Sequence, residues 1–237
     1  MAMDHTTRAF DVDLREIERK VVEMGNLVKQ QIEGAVEALL TRDVAFAERL
    51  VAADVRLDAL QREVESMAVT TIARRQPVAI DLREIIGAIR MVNDLERIGD
   101  FAKNIAKRIT ALMNDFRIDG IMPQFGLMAQ QVTDQLTSVL ESYEQRDSGK
   151  ALEVWRKDRD IDALNNSLFR ALLTHMMEDP RNISSCTHLL FCAKNIERMG
   201  DHITNIAEAV YYIVEGREVE EERPKADTTS KDALQPI

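Results

Sequence analysis

The stretch ERIGDFAKNIAKRI at residues 96–109 returns as ERMGDHITNIAEAV at residues 197–210. At this constant offset of 101, seven of the fourteen positions are identical: Glu, Arg, Gly, Asp, Asn, Ile and Ala. Upstream, Leu57-Asp58-Ala59-Leu60 aligns with Ile161-Asp162-Ala163-Leu164 at an offset of 104. Both matched stretches carry apolar residues at helical steps, so the repeated unit is built of helices. Two copies of a helix–helix–helix unit account for the pattern.

Working outward from the repeat, the breaks between helices are few. The first helix starts near Thr6–Thr7 and runs to about Leu40, with an apolar stripe of Leu14, Ile17, Val21, Met24, Val28, Ile32, Val36 and Leu39. Asp43 caps a second helix that continues to Arg75, before Pro77. The third runs from about Ile80 to Met113, and Asn114–Pro123 reads as a linker because it holds a glycine and a proline. Helices over 124–146, 149–178 (Ser148 as cap) and 181–215 follow, with Pro180 marking the last break. The expected fold is all-α: two tandem, pseudo-symmetric antiparallel three-helix bundles at residues 6–115 and 123–216, six long helices in all. A polar tail, expected to be disordered, occupies 217–237.

Composition excludes several other classes. Nine glycines, five prolines and 5% aromatics in 237 residues leave too few turn residues and β-formers for a sandwich. With 41 acidic against 31 basic residues the chain lacks the cationic face that a phosphate backbone needs, so nucleic acid is not an expected partner. There is no apolar signal segment and no run of about 18 apolar residues. Cys186 and Cys192 fit no zinc or redox spacing. These features lead to the expectation of a soluble, cytoplasmic protein.

The informative chemistry is a set of acid pairs spaced i, i+4: Asp54/Asp58, Glu96/Asp100, Asp158/Asp162 and Glu197/Asp201. On a helix this spacing puts both carboxylates on one face, where like charges repel. In a hairpin turning at Pro77, Asp58 comes level with Glu96 and Asp54 with Asp100. In the second copy the same partners are centred on the Asp179–Pro180 junction. Each unit thus brings four carboxylates onto neighbouring helices, and Asn104 and Asn205 add neutral oxygens four residues further along. Four ionised acids need compensation. It can come from hard cations such as iron, manganese, magnesium or calcium, with zinc also open. Local arginines (Arg97, Arg198, Arg56, Arg159) are a second source, and separation on solvated faces is a third.

Other constellations read poorly. None of His5, His175, His188 or His202 has a glutamate three positions earlier, which removes the ferritin-like di-iron pattern. No phosphate loop, Gly-x-Ser-x-Gly or His-Glu-x-x-His motif is present. No catalytic residue is assigned, and no organic cofactor is expected. His202 reads as a packed or half-exposed histidine, and Trp155 as core. Gly99 and Gly200, mid-helix and equivalent, read either as close approach of a neighbouring backbone or ligand, or as tolerated small residues.

The segments QPVAIDLREI (76–85), NDLERIGDFAKNIAKR (93–108) and KNIERMGDHITNIAEAV (194–210), with the paired DVRLDAL and DRDIDAL stretches, resemble the PhoU family of accessory proteins of the bacterial phosphate-specific transport system. The likeness covers residues 6–216. It implies two tandem three-helix bundles with acidic E(D)xxxD motifs, and the acids named above as places for iron or zinc clusters. It also implies a negative regulator of phosphate-starvation genes, a homodimer that links the transporter's ATPase subunit to a sensor histidine kinase and meets the membrane only through those partners. The second copy has Asp-Pro-Arg-Asn where the first has Gln-Pro-Val-Ala, so the hairpin tips differ. From the residues alone, three classes stay open: a signalling adaptor, a metal-binding protein with storage or oxidase-like activity, and a purely structural helical module.

Overall fold

Each helix buries one apolar stripe, and the packing of those stripes sets the architecture. The computed structural model describes residues 2–112, 120–221 and 223, with side chains from Phe10 onward. Among these residues the regular structure is wholly helical. The helices are α1 (Ala2–Thr41), α2 (Val44–Ala53), α3 (Val55–Arg75), α4 (Ala79–Ile109), α5 (Met122–Gln145), α6 (Ser148–Arg156), α7 (Asp158–Glu178) and α8 (Ile183–Glu215). Short 3-10 turns follow α4 and precede α8. The end-to-end pairs α2/α3 and α6/α7 each act as one bent rod, so eight helices make six rods in two bundles.

Two helices expected to be continuous are therefore broken, one at Asp54 and one at Lys157. At each break the chain tightens to i→i+3 bonding: Leu57 N–H donates to the Asp54 carbonyl (2.9 Å) and Asp160 N–H to that of Lys157 (3.0 Å). Neither break carries a glycine or proline, so apolar spacing gave no sign of it. The breaks fall at equivalent places in the two copies and re-aim the backbone beside Asp54 and Asp158.

Other boundaries shift for local reasons. Asp43 caps α2 as expected, accepting from Phe46 N–H at 2.8 Å. Asp147, not Ser148, caps α6, accepting from Lys150 N–H at 3.0 Å. Thr6 and Thr7 lie inside α1 rather than at its start. Most of the expected linker and residues 222 and 224–237 of the tail lie outside the described residues. The tips do differ: α3 ends on Gln76 in the left-handed region, whereas Asp179 caps a 3-10 turn by accepting from Arg181 N–H at 3.0 Å.

The stripes read from the sequence form the core. Ile17, Val21, Met24, Val28, Ile32, Val36 and Leu39 of α1 are buried, as are Leu95, Ile98, Ala102, Ile105 and Ile109 of α4 and their counterparts Ile196, Met199, Ile203, Ile206, Val210 and Ile213 of α8. Each large aliphatic side chain so buried contributes about 1.5–3 kcal/mol. Trp155 is buried too, its Nε1–H donating to Glu208 Oε1 at 2.9 Å.

The two bundles meet chiefly along α4 and α8, which run antiparallel. Arg83 near the start of α4 donates to the carbonyl of Ile213 near the end of α8 (3.5 Å), and Arg108 near the end of α4 lies over Phe191 near the start of α8. The hairpin tips consequently point to opposite ends of the molecule.

Gly99 and Gly200 have a common explanation, and it is neither a backbone nor a ligand. A Cβ on Gly99 would run into Leu57 Cδ1, and one on Gly200 would come within 2.9 Å of Ile161 Cδ1. Leu57 and Ile161 are equivalent residues, each directly preceding an acid of the sets. The glycines let α3 and α7 close onto α4 and α8 where the carboxylates face each other.

Candidate functional site

The register read from the sequence brings the acids of each unit together. In the first unit, the Lys103 ammonium bridges Asp54 Oδ2 and Asp100 Oδ1, the second at 2.8 Å. Glu96 lies close enough to Asp100 and Asp58 for their charges to act on it. Burial and Asp100 raise the Glu96 pKa from the ordinary glutamate value, and the weak contact with Arg97 only partly opposes this. The Lys103 pKa is also raised: burial works against its charge, yet its bonds to Asp100 and Asp54 hold its pKa above the usual lysine value.

In the second unit Asp158 and Asp201 are bridged in the same manner, but by Arg223. Its Nε donates to Asp158 Oδ2 at 3.1 Å, and its Nη2 to Asp201 Oδ1 at 2.8 Å and to the Asp201 carbonyl at 3.1 Å. The Asp158 side chain is 3% exposed, so this pairing is largely out of water. Burial raises the Asp158 pKa and Arg223 partly offsets it. Glu197 is also buried and shifted upward by burial, with Lys194 opposing at 2.8 Å from Oε1. Its Oε2 has no hydrogen-bond partner among the described residues. Asp162 acts on both Asp158 and Glu197.

The two asparagines do not extend these sets in the same way. Asn104 is exposed. Asn205 instead reaches across to α4, its Nδ2 donating to Asp94 Oδ1 at 3.2 Å. That oxygen also bonds His202 Nδ1 at 2.7 Å. Asp94 and Asn205 line a cleft of about 440 Å3 between the units, together with Arg90 and Tyr212.

The arginines named from the sequence are mostly engaged elsewhere. Arg97 is the exception, at 3.7 Å from Glu96 and 3.8 Å from Asp100. Arg56 pairs with Glu23, Arg159 with Asp160, and Arg198 lies over the Phe101 ring. Neutralisation falls to Lys103, Lys194 and Arg223, which sequence reasoning did not single out. Lys103 carried a signal, because it lies one turn after Asp100. Arg223 carried none, because it sits in a stretch with no helical period.

Among the described residues no three His, Cys, Asp or Glu side chains converge as ligands. The space between the acids is taken by an ammonium in one unit and a guanidinium in the other. The two cysteines are buried and unpaired, and burial pushes the Cys192 thiol up to about 12. No described helix is long and apolar enough to cross a membrane.

A model of the PhoU domain matches the chain twice, at residues 21–109 and 125–210. The chain belongs to the PhoU family. Its two PhoU matches coincide with the two bundles and contain all ten acids and asparagines discussed above. A phosphate-specific transport system accessory protein PhoU homolog of Rhizobium meliloti (strain 1021) is 47% identical over 97% of both chains. One of Caulobacter vibrioides (strain NA1000 / CB15N) is 41% identical over 96% of this chain and 99% of its own. The crystal structure of PhoU from Pseudomonas aeruginosa superposes with a TM-score of 0.83 at 35% identity, covering 88% of this chain and 100% of that one. PhoU membership places the chain among the accessory proteins of phosphate transport.

Proposed function

We propose that this protein is a non-enzymatic, cytoplasmic negative regulator of phosphate uptake and of phosphate-starvation signalling. In this reading it links the ATPase subunit of the phosphate ABC transporter to a sensor histidine kinase, acting as a homodimer that reaches the membrane only through those partners. The observation that carries the reading is the near full-length likeness to accessory proteins of the phosphate-specific transport system. The shape supports an adaptor. Val78, Ile80 and Leu82 stand exposed at one hairpin tip, and Leu173, Met177 and Ile183 at the other. Because α4 and α8 run antiparallel, these apolar ends lie apart, as two separate protein contacts require.

A hard cation (iron, manganese, zinc or magnesium) enters this reading only as a competitor of Lys103 and Arg223. The test of the regulatory role is genetic. Deleting the gene is expected to switch on a phosphate-starvation reporter in phosphate-rich medium and to raise phosphate uptake. An unchanged reporter, together with no crosslink to the transporter ATPase or the kinase, overturns it.

A further inference from the structure

The two carboxylate sets are neutralised by cations of different origin. Repeat equivalence pairs Asp54 with Asp158, Asp100 with Asp201 and Lys103 with Thr204. Thr204 cannot replace the ammonium: its hydroxyl is buried and donates to the Gly200 carbonyl at 3.1 Å. The second set thus lacks the built-in cation of the first, and Arg223, from beyond the last helix, spans the corresponding two aspartates. We propose that the second carboxylate set is a docking site for an arginine guanidinium, occupied in cis by Arg223, and that residues 217–221 with Arg223 act as a releasable strap over it.

Several observations support both halves of this statement. The guanidinium makes three bonds to Asp158 and Asp201, and its side chain is only 19% exposed. A planar donor fork suits two carboxylates held on neighbouring helices better than a point charge does. Glu197, 5% exposed and with Oε2 unpartnered among the described residues, adds acceptor capacity near Asp201 and Asp162. Lys103 is carried on α4 itself, so even when its side chain rotates it remains beside its aspartates. Arg223 can leave, because α8 ends at Glu215, Gly216 turns the chain in the left-handed region, and residues 217, 218, 220 and 221 are exposed, with Val219 half-buried against the core between them. A further ion pair from this stretch to a helix, Glu221 with Arg156 at 3.4 Å, is solvent-exposed on both sides and adds little.

Limited trypsin digestion of the full-length protein tests the strap directly. Pro224 blocks cleavage after Arg223, so cleavage after Arg217 reports its release. Arg223→Ala is expected to speed that cleavage at least about fivefold, the factor that corresponds to about 1 kcal/mol. Arg223→Lys is expected to fall between. A labelled peptide of residues 217–227 is expected to bind the full-length Arg223→Ala protein saturably, and the same peptide with Arg223→Ala is not. Equal cleavage rates in wild type and Arg223→Ala overturn the proposal, as does peptide binding that ignores the arginine. Because Arg223 lies outside every helix, its replacement tests the strap without depending on a refolded core.

Discussion

Phe101 and His202 hold equivalent positions in the two repeats, and their rings lie against each other, centroids 5.5 Å apart and tilted by 40°. A residue that touches its own repeat counterpart marks the pseudo-twofold axis. The axis therefore passes between α4 and α8 at the middle of their contact, with Glu96 and Asp100 near it on one helix and Glu197 and Asp201 on the other. The symmetry is imperfect here, since the His202 ring also bonds Asp94, whereas its counterpart Phe101 has no atom for such a bond.

Replacing His202 by Phe tests what that asymmetry contributes. The ring contact across the axis is retained and the bond to Asp94 is lost, leaving Asn205 Nδ2 to donate to that oxygen. The variant is expected to lose about 1 kcal/mol in urea unfolding. A stability equal to or above that of wild type shows the ring contact to be the whole of the residue's contribution.

Gly99→Ala and Gly200→Ala separate close packing from helix propensity. Alanine gains about 1 kcal/mol over glycine inside a helix, but overpacking a core costs about 1–3 kcal/mol. Gly99 is the tighter site, because its added Cβ runs into buried Leu57, so Gly99→Ala is expected to destabilise by about 1–2 kcal/mol. Gly200→Ala is expected to be closer to neutral. Combining Gly99→Ala with Leu57→Val is expected to recover part of the loss, and chemical denaturation of the four proteins measures it.

The raised pKa values of Glu96, Asp158 and Glu197 fix the sign of a pH dependence. Each group holds its proton more firmly in the folded chain than in the unfolded one. The associated stability is fully present below the unfolded carboxylate pKa and is lost as pH rises through the raised folded value. Wild type is thus expected to lose part of its stability from these groups between the ordinary carboxylate range and neutrality. Glu96→Gln removes one contribution, so the difference in melting temperature between variant and wild type is expected to widen in the variant's favour as pH rises to 7. Relief of the repulsion with Asp100 is expected to be about 0.5 kcal/mol, and a difference that does not change with pH counts against the assignment.

Lys103→Met leaves Asp54, which is buried, and Asp100 without their shared cation. Breaking a buried pair costs about 3–5 kcal/mol, and partial exposure of Lys103 reduces that to an expected loss of about 1–3 kcal/mol. Added manganese is expected to leave the wild-type melting temperature nearly unchanged and to raise that of Lys103→Met, because the vacated oxygens then face a hard cation without a competitor. A large manganese effect on wild type, abolished by Glu96→Gln with Asp100→Asn, shows instead that metal displaces Lys103 readily.

Much of this protein was legible in the residues alone. The duplicated Glu-Arg-x-Gly-Asp stretch, the apolar steps of α1, α4 and α8, and the prolines at 77 and 180 determine six antiparallel rods in two units, since helical period and turn residues are local properties of a chain. The same hairpin arithmetic determines that Asp54 and Asp58 face Asp100 and Glu96, because register follows from counting back from a tight turn. Tertiary structure alone decided the breaks at Asp54 and Lys157, which no local residue announces. It also decided that Asn205 turns to Asp94, and which cations answer the acids. Arg198, Arg56 and Arg159 are near the acids in sequence, but a charge is neutralised by what is near in space, and that is chiefly Lys103 in one unit and Arg223 with Lys194 in the other. No reading of period or spacing reaches Arg223, 22 residues beyond the Asp201 it binds, because its position depends on how a segment without helical period crosses two helices that only the folded bundle brings together.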